Sequence, residues 1–432
     1  MTTTRREAIG GMAGMMGGLG LSAAAMGQVP PAAPRPGADQ PESLGVSVTA
    51  FGARGDGATD CAEAFDKALK AAGNSGGAVV YVPAGRYRLS RPIELPDHVT
   101  LQGVHRDSPP NRAAGSVLLA DVEPADDGKP FITLHAQSTL SGLCVHYPRQ
   151  DDPAAIKPFP WCVRGVADNA TIINCLLTNP YRGVDFGTVT GGRHFIDGLY
   201  AQPLYRGLFI DKCYDVGRVR NVHFWPFWNQ KARPFMETRG EAFVIGKTDW
   251  QMIDFCFCIW YRVGFHFVAN QPGPGNTMLT NSGSDIGPTA VRIDQLQPHA
   301  GITWVNGQFM SGIEVSEANN GPVKFTACGF WGVNENNLHC ASHAVLAGGG
   351  TVSFDSCHFT QWDVEKKGAP AIDADCRSVA VRNCDFLDAD KRQIRLGDQV
   401  KSAIITGNRL RGGAKIQMPA GRQFTIGLNA EA

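Results

Sequence analysis

The sequence of this 432-residue chain predicts a right-handed parallel β-helix. The first observation is a six-residue pattern that returns about nine times after residue 172: apolar, any, small or amide, any, any, then Phe, Tyr or Leu. The second is spacing, since most copies follow one another at intervals of 21 to 29 residues. The third is alternation of apolar and polar side chains inside each copy, which is typical of strands. A short period that contains strand chemistry indicates a solenoid of β coils.

The repeat predicts which of its residues lie inside the coil and which form the corners. Clear copies are 172–177, 219–224, 304–309, 325–330, 354–359 and 381–386, and weaker ones end at Tyr200, Phe257 and Leu410. Equivalent residues of successive coils stack about 4.8 Å apart. The last position should therefore form one interior aromatic column of Phe224, Phe257, Phe309, Phe330, Phe359 and Phe386. Asn and Asp tolerate left-handed backbone geometry, so the third position predicts a column of tight corners at Asn174, Asp197, Asn221, Asp254, Asn306 and Asn383, with Gly407 in the same place.

The N-terminus predicts an export signal. Arg5 and Arg6 precede a Gly- and Met-rich run that is too short and too weakly apolar to span a membrane. This pattern is typical of a twin-arginine signal peptide over residues 1–27. Residues 28–45 then indicate a Pro-rich linker, and residues 46–432 a single β-helix domain. We expect an exported protein, periplasmic or extracellular; the alternative is a disordered N-terminus that carries two arginines by chance.

Replacing both Arg5 and Arg6 by lysine should retain the protein in the cytoplasm, because the arginine pair is the address that the export machinery reads. Removing residues 1–27 should leave a folded cytoplasmic protein. Cell fractionation with an antibody measures both results. Normal export of the double lysine variant would contradict the twin-arginine interpretation.

The overall charge of the chain argues against nucleic acid and membrane partners. Lys plus Arg and Asp plus Glu number 40 each, so no overall electrostatic field favours binding of nucleic acid or insertion into a membrane.

Four of the twelve cysteines, Cys175, Cys328, Cys357 and Cys384, share the position after the corner. They are best explained as small buried ladder residues, not as a disulfide framework. Cys256 and Cys258 are only a weak metal signal. The sequence requires no cofactor and leaves the oligomeric state open between monomer and trimer.

Residues 46–105 carry a second signature. The phrase from Phe51 to Asp60 leads into a predicted helix over 60–72, with Asp60 and Glu63 as a capping box and Gly73 as its end. Its apolar face consists of Cys61, Phe65, Ala68, Leu69 and Ala72. A strand over 78–82, the turn 83–85 and a strand over 86–89 follow. Such an amphipathic helix would cap the open end of a β-helix, whose strand edges and core would otherwise meet water.

This arrangement resembles the opening module of the pectate-lyase-like superfamily, which includes rhamnogalacturonase-type and polygalacturonase-related proteins. The resemblance implies an enzyme that degrades a pectin-like or other acidic polysaccharide, as a hydrolase or as a lyase, with calcium possible in a lyase. The polygalacturonase motifs Asn-Thr-Asp, Asp-Asp, Gly-His-Gly and Arg-Ile-Lys are absent in register, and the pairs 126–127 and 151–152 lie before the clear coils. The alternative is a non-catalytic carbohydrate-binding or surface-adhesion β-helix.

A second repeated strand precedes each corner and supplies candidate site residues. Alternation points its polar residues outward: Asp185, His266, Arg292, Glu314, Asp373 and Arg395. His266, Arg292 and Glu314 fall on consecutive detected coils, with Asp294 two residues beyond Arg292. Asp294 and Glu314 are predicted to be the acid–base pair, and Arg292 and His266 to bind a substrate carboxylate or serve as base. The alternative is that outward strand residues of a solenoid are simply charged.

The insertion after Phe224 supplies candidates for sugar binding. Trp225 and Trp228 are predicted to stack on sugar rings, although packing of such side chains into the core is the alternative. Asp211 and Asp373 are further substrate-binding candidates. Glu237, Glu241 and Asp249 are second-choice catalytic carboxylates.

Overall fold

The computed structural model describes residues 45–105, 113–332 and 340–431. Within these ranges the chain winds into a right-handed parallel β-helix, which confirms the predicted fold class. Each strand pairs in parallel with the equivalent strand of the coil before and the coil after. The predicted signal peptide (1–27) and the predicted linker up to residue 44 lie outside the described residues, and Gly45 already belongs to the first strand.

One side of the coil is a 13-stranded parallel sheet, called the site sheet below. Its strands are Ile93–Leu95, Ile132–Leu134, Trp161–Gly165, Arg182–Phe186, Arg206–Ile210, Glu241–Ile245, Val263–Phe267, Thr289–Ile293, Gly312–Val315, Ala344–Leu346, Ile372–Ala374, Ile394–Leu396 and Ile416–Gln417.

The other sides form a 27-stranded sheet, called the wide sheet below. Its strands are Gly45–Ser47, Asp56–Asp60, Val79–Tyr81, Gly85–Leu89, Thr100–Gln102, Ser116–Ala120, Thr139–Ser141, Cys144–His146, Thr171–Leu177, Phe195–Ala201, Arg218–Phe224, Gln251–Asp254, Phe257–Cys258, Thr277–Thr280, Gly283–Ser284, Ile302–Val305, Gln308–Phe309, Val323–Thr326, Gly329–Trp331, Thr351–Asp355, His358–Thr360, Ser378–Arg382, Asp385–Phe386, Ser402–Thr406, Arg409–Leu410, Thr425–Gly427 and Ala430–Glu431. The helices are α1 (Ala62–Asn74) and α2 (Arg233–Arg239), with 3-10 turns at Val48–Phe51, Pro148–Gln150 and Gln230–Ala232.

The interior contains the predicted aromatic column over its C-terminal part. Phe309, Phe330, Phe359 and Phe386 are fully buried, and neighbouring ring centroids lie 5.1, 4.8 and 4.9 Å apart. The offset-stacked geometry follows directly from the spacing of parallel strands. Phe224 is also buried, but it stacks on Phe243 of the site sheet at 4.8 Å.

The predicted column is wrong at Phe257. Strand pairing places Phe257 beside outward-facing His223, and Cys258 beside inward-facing Phe224. The copy ending at Tyr200 is displaced in the same way, since Ala201 is the residue that pairs with Phe224. In both coils an outward aromatic residue precedes a small inward one. Because the hydrophobic pattern selects the larger, outward residue as the last position of the repeat, it places the whole copy one residue too early.

The same shift explains two errors in the corner column. Left-handed backbone geometry occurs at Asn174, Asn221, Asn306, Asn383 and Gly407, as predicted. Asp197 and Asp254 are not corner residues; the left-handed positions are Gly198 and Phe255, and Asn281 adds a corner that the pattern missed. The two carboxylates support the corners instead. Asn221 Nδ2 donates to Asp197 Oδ1 at 2.6 Å, and Asn281 Nδ2 donates to Asp254 Oδ1 at 3.0 Å.

Helix α1 forms close to its predicted place, with Phe65, Ala68, Leu69 and Ala72 buried. The predicted capping box is wrong. Asp60 ends a strand, the N-cap residue is Cys61, and Glu63 pairs with Lys67 one turn later. The helix packs against the first 3-10 turn and against strands Gly45–Ser47 and Val79–Tyr81. Its role as a cap of the coil stays a prediction.

The four cysteines that share the repeat position, Cys175, Cys328, Cys357 and Cys384, are buried, as predicted. All twelve lie among the described residues, none forms a disulfide, and all but Cys340 are buried. Cys256 follows the left-handed residue Phe255, so it joins the ladder position of Cys175 and Cys328. Burial raises the pKa of Cys256 to about 12, which keeps the thiol protonated and unreactive.

Candidate functional site

The outward residues of the site sheet form one row. Backbone pairing joins His266 to Arg292 and Arg292 to Glu314, so the three lie on adjacent strands in the predicted register. Asp373 and Arg395 continue the row on later strands. In the other direction Val244, Phe209 and Asp185 precede His266. The sequence pattern located the row, and strand pairing places its central residues on adjacent strands.

The predicted outward acid Asp185 and the predicted substrate-binding acid Asp211 are both buried and structural. Asp185 is fully buried, receives the Arg164 Nε–H at 2.5 Å and accepts the backbone N–H groups of Gly187 and Thr188. Asp211, a predicted substrate-binding residue, is also buried; it accepts the backbone N–H of Lys212 and Lys247 at 2.8 and 2.7 Å. Asn270 Nδ2 donates to its second oxygen. Both carboxylates therefore hold turns together and offer little to a ligand.

His266 lies between two carboxylates. Its Nδ1 is 3.1 Å from Glu241 Oε1, and its Nε2 is 2.8 Å from Asp294 Oδ2. Arg292 Nε donates to the other Asp294 oxygen at 2.9 Å. The imidazole is mostly buried, whereas a third of the Asp294 side chain and nearly half of the Arg292 side chain are exposed. The carboxylate at Nε2 is therefore more exposed than the carboxylate at Nδ1, and these four residues are called the His266 cluster below.

Glu241 is held from the opposite side by two arginines. Arg206 Nη2 donates to its Oε2 at 2.9 Å, and Arg262 Nη2 to its Oε1 at 2.5 Å. Its carboxylate is nearly enclosed. The sequence supports only a second-choice role for Glu241, because strand Glu241–Ile245 follows the insertion and escapes detection. The signal exists: Glu241-Ala-Phe-Val-Ile repeats the pattern of Arg206-Gly-Leu-Phe-Ile.

The charged groups of the His266 cluster shift one another's pKa values. The pKa of Asp294 falls to about 2, chiefly through the His266 hydrogen bond, with Arg292 adding to the effect against burial. Burial raises the pKa of Glu241, but His266 and Arg206 outweigh it and bring the pKa to about 2. Burial by itself lowers the pKa of His266, yet hydrogen bonds to Asp294 and Glu241 leave that pKa raised above its usual value. The cluster therefore favours two ionised carboxylates and the protonated form of the imidazole.

Glu314 lies beside this cluster, outside its hydrogen bonds. Its side chain is exposed, and Thr289 Oγ1 donates to it at 3.3 Å. A general acid must carry a proton at the working pH, and a carboxyl with a pKa of about 2 does not. In the predicted Asp294–Glu314 acid–base pair, Asp294 would therefore have to be the base, and the pair stays a prediction.

The predicted sugar-binding tryptophans lie elsewhere. Trp225 is partly exposed and contacts the rings of His223 and Phe257, which belong to the wide sheet. Trp228 is partly buried against the core, and its backbone N–H donates to Gln202. Neither shares a described contact with the His266 cluster. Among the remaining acids, Glu237 pairs with Arg233 on helix α2, Asp373 pairs with Arg395, and Asp249 is half-buried beyond strand Glu241–Ile245.

The described ranges contain neither a cluster of metal ligands nor a membrane-spanning helix. No set of three or more His, Cys, Asp or Glu side chains in the described part of the chain is arranged to hold a metal ion. No helix in those ranges is long and apolar enough to cross a membrane.

The N-terminal coils of the chain match a known family model. A family model described as rhamnogalacturonase A/epimerase, pectate lyase-like, matches residues 45–129. The pre-neck appendage protein of Bacillus phage B103 is 35% identical over 113 residues, which are 25% of this chain and 12% of the phage protein. Alginate lyase 7 of Azotobacter vinelandii is 47% identical over 51 residues, 12% of this chain and 6% of that protein. The matches thus span only a small part of the length of these curated relatives.

Solved structures extend the likeness to most of the chain at the level of fold. The N-terminal fragment of bacteriophage phi29 gene product 12 superposes with a TM-score of 0.51 at 13% identity, covering 90% of this chain and 71% of that chain. The tailspike protein of E. coli bacteriophage HK620 gives 0.50 at 12% identity, covering 90% and 78%. At such low identity the two structures show a shared fold alone.

Proposed function

We propose that the chain binds an acidic polysaccharide along the site sheet and cleaves it by β-elimination at the His266 cluster. The match of residues 45–129 to a family model described as rhamnogalacturonase A/epimerase, pectate lyase-like, supports this substrate class. The observation that carries the proposal is an imidazole whose Nδ1 is fixed by the buried Glu241 and whose Nε2 contacts Asp294, a partly exposed carboxylate that the partly exposed Arg292 also holds. A uronate substrate needs a cation at its carboxylate and a base for the proton on the adjacent carbon. Arg292 and His266 supply these two groups.

Each residue has a defined role in the proposed reaction. Arg292 binds the carboxylate of the sugar, which makes the proton on the carbon next to that carboxylate easier to remove. Neutral His266 takes this proton at Nε2 while the bond from the neighbouring carbon to the glycosidic oxygen breaks. A carbon–carbon double bond forms in one product, the leaving oxygen takes a proton from solvent water, and His266 returns its proton to the solvent. Glu241 accepts the Nδ1–H and so fixes the tautomer whose Nε2 is free to act as base.

Asp294 occupies Nε2 in the free protein, so the substrate must displace it. Arg292 holds the other Asp294 oxygen at 2.9 Å and can retain the displaced carboxylate nearby. Hydrolysis is less well supported, because it needs one carboxyl kept protonated and one ionised, with a glycosidic bond between them. Here the ring of His266 fills the space between Glu241 and Asp294, and both carboxyls have pKa values of about 2.

A non-catalytic glycan-binding β-helix is the second candidate. It is favoured by the pairing within the cluster, where both carboxylates already have cationic partners in the free protein. Paired charges of this kind also occur in sites that only bind.

A panel of uronate-containing and neutral polysaccharides separates these functions. Products that absorb in the ultraviolet as unsaturated uronates support the lyase. New reducing ends without that absorbance indicate a hydrolase, and binding without either product indicates the second candidate. We also propose that the protein is exported, since polysaccharides of this class are extracellular.

Replacing Asp294 by Asn should move the pH dependence of turnover to lower pH. The raised pKa of His266 means that its neutral, basic form appears only as the pH rises through that value, so wild-type turnover should increase with pH above about 6.5. Removing the Asp294 carboxylate lowers the pKa of His266 and brings the rise to lower pH. Initial rates across pH measure it, and NMR titration of His266 measures the pKa without turnover. Asp385→Asn, which removes a paired carboxylate from the wide sheet, should leave the profile in place; an unmoved profile in Asp294→Asn would contradict this role.

A further inference from the structure

A cluster of rings and guanidinium groups lies on the site sheet just before the His266 cluster. We call it the arginine–aromatic ledge; it consists of Trp161, Tyr181, Arg182, Tyr205, Arg206 and Phe209. Backbone pairing places Trp161, Arg182, Arg206 and Glu241 in one row across four adjacent strands. Because Arg206 also donates to Glu241, the ledge is continuous with the His266 cluster.

The rings of the ledge are stacked in pairs. The Tyr181 and Tyr205 rings lie 5.1 Å apart and nearly parallel, and the Trp161 and Phe209 rings lie 6.2 Å apart at a similar angle. Phe209, Tyr181 and Tyr205 are each half-buried, so part of each ring meets solvent. Aromatic faces of this kind pack against the apolar C–H faces of sugar rings.

The guanidinium groups lie against the same rings. Arg182 is 5.1 and 5.4 Å from the centroids of Tyr181 and Tyr205, and Arg206 is 5.7 Å from those of Tyr205 and Phe209. Planar stacking keeps a guanidinium in a fixed orientation and so reduces the entropy lost when it binds a carboxylate.

Arg182 holds the most exposed acid that contacts the ledge. The Arg182 side chain is mostly buried; its Nη1 donates to the backbone carbonyl of Asp126 and its Nη2 to the Asp126 carboxylate, both at 2.6 Å. More than two thirds of the Asp126 side chain is exposed, so solvent screens the ion pair. A carboxylate on a ligand can therefore take the place of the Asp126 carboxylate while the backbone contact remains.

We propose that the arginine–aromatic ledge is a subsite for further uronate residues of the substrate, with Arg182 binding a carboxylate and Phe209 supporting a sugar ring. This inference rests on the proposed function and names its substrate class: a chain of several uronates. Phe209 and His266 lie in the same row two strands apart, roughly 10 Å. A single uronic acid cannot occupy both places, so the ledge selects polymer over monomer.

Binding measurements on folded variants test the subsite. The probes are polygalacturonate and alginate, each with its own monomeric uronic acid, and the protein carries His266→Ala so that no chain is consumed. Arg182→Gln and Phe209→Leu should each weaken binding of the polymer about tenfold while leaving the binding of the monomer, which cannot span both places, far less affected. Arg220→Gln, which removes an ion-paired arginine from the wide sheet, is the matched control and should bind the polymer normally. Phe209→Leu keeps an apolar side chain, so it remains informative where Arg182→Gln fails to fold.

The outcomes separate this inference from the function on which it rests. Unchanged polymer binding in both variants, with a wild-type protein that does bind, overturns the ledge alone. Failure of the otherwise unaltered protein to bind either polymer overturns the ledge and the proposed function together. If binding depends on the ledge but the wild-type protein, with His266 in place, leaves the polymer intact, the ledge is supported and the proposed cleavage is overturned.

Discussion

Replacing His266 by Ala should lower turnover on an acidic polysaccharide by a factor of about 10² to 10⁴, the usual contribution of a positioned acid–base group. The reason is that Nε2 of His266 is the base of the proposed reaction, and no described neighbour can supply a neutral base in its place. Glu241 and Asp294 are both weak bases, with pKa values of about 2. Initial rates at saturating substrate measure the effect, with circular dichroism to verify the fold.

The matched control is His358→Ala. His358 is also a half-buried outward histidine in a β coil, but it lies on the wide sheet. Its replacement should leave turnover within about twofold of wild type. Equal losses in the two variants would mean that general destabilisation, not proton transfer, explains the result at His266.

Replacing Trp304 by Ala should destabilise the β-helix by about 3 to 5 kcal/mol, the range for deleting a large buried aromatic side chain. Trp304 is fully buried, and its ring centroid lies 4.8 Å from Phe265 and 4.9 Å from Phe309. The substitution leaves a cavity and also removes the Trp304 Nε1–H donor from the carbonyl oxygen of Ser282. Urea denaturation measures the change in the free energy of unfolding.

The partly exposed Trp225 provides the comparison for this prediction. Trp225→Ala removes the same side chain from the outer surface of the wide sheet, and it should destabilise the protein far less. A loss at Trp304 no larger than that at Trp225 would contradict the interior stacking that strand register assigns to Trp304.

The sequence carries enough information for the coil and for one row of the candidate site. Strands Val263–Phe267, Thr289–Ile293 and Gly312–Val315 share one alternating pattern, so side-chain alternation alone places His266, Arg292 and Glu314 on the same outer face. Asp294 follows from its distance of two residues from Arg292. These residues could be predicted because strand periodicity determines the direction of a side chain without knowledge of tertiary contacts.

Other features depend on information that a single-sequence pattern lacks. Glu241 lies after an insertion that contains helix α2, and this interruption hides the coil to which it belongs. At Tyr200 and Phe257 a large outward residue precedes a small inward one, so the hydrophobic pattern aligns one residue early. Trp225 is close to the candidate residues in sequence, but it follows a strand of the wide sheet and so lies on a different side of the coil.

The ultraviolet spectrum of the products from an acidic polysaccharide tests the central claim most directly. Incubation with the wild-type protein should produce absorbance of the unsaturated uronate that β-elimination creates. This absorbance should be lost with His266→Ala and retained with His358→Ala. Binding of the polysaccharide with no new double bond, or new reducing ends without unsaturation, would contradict β-elimination at the His266 cluster.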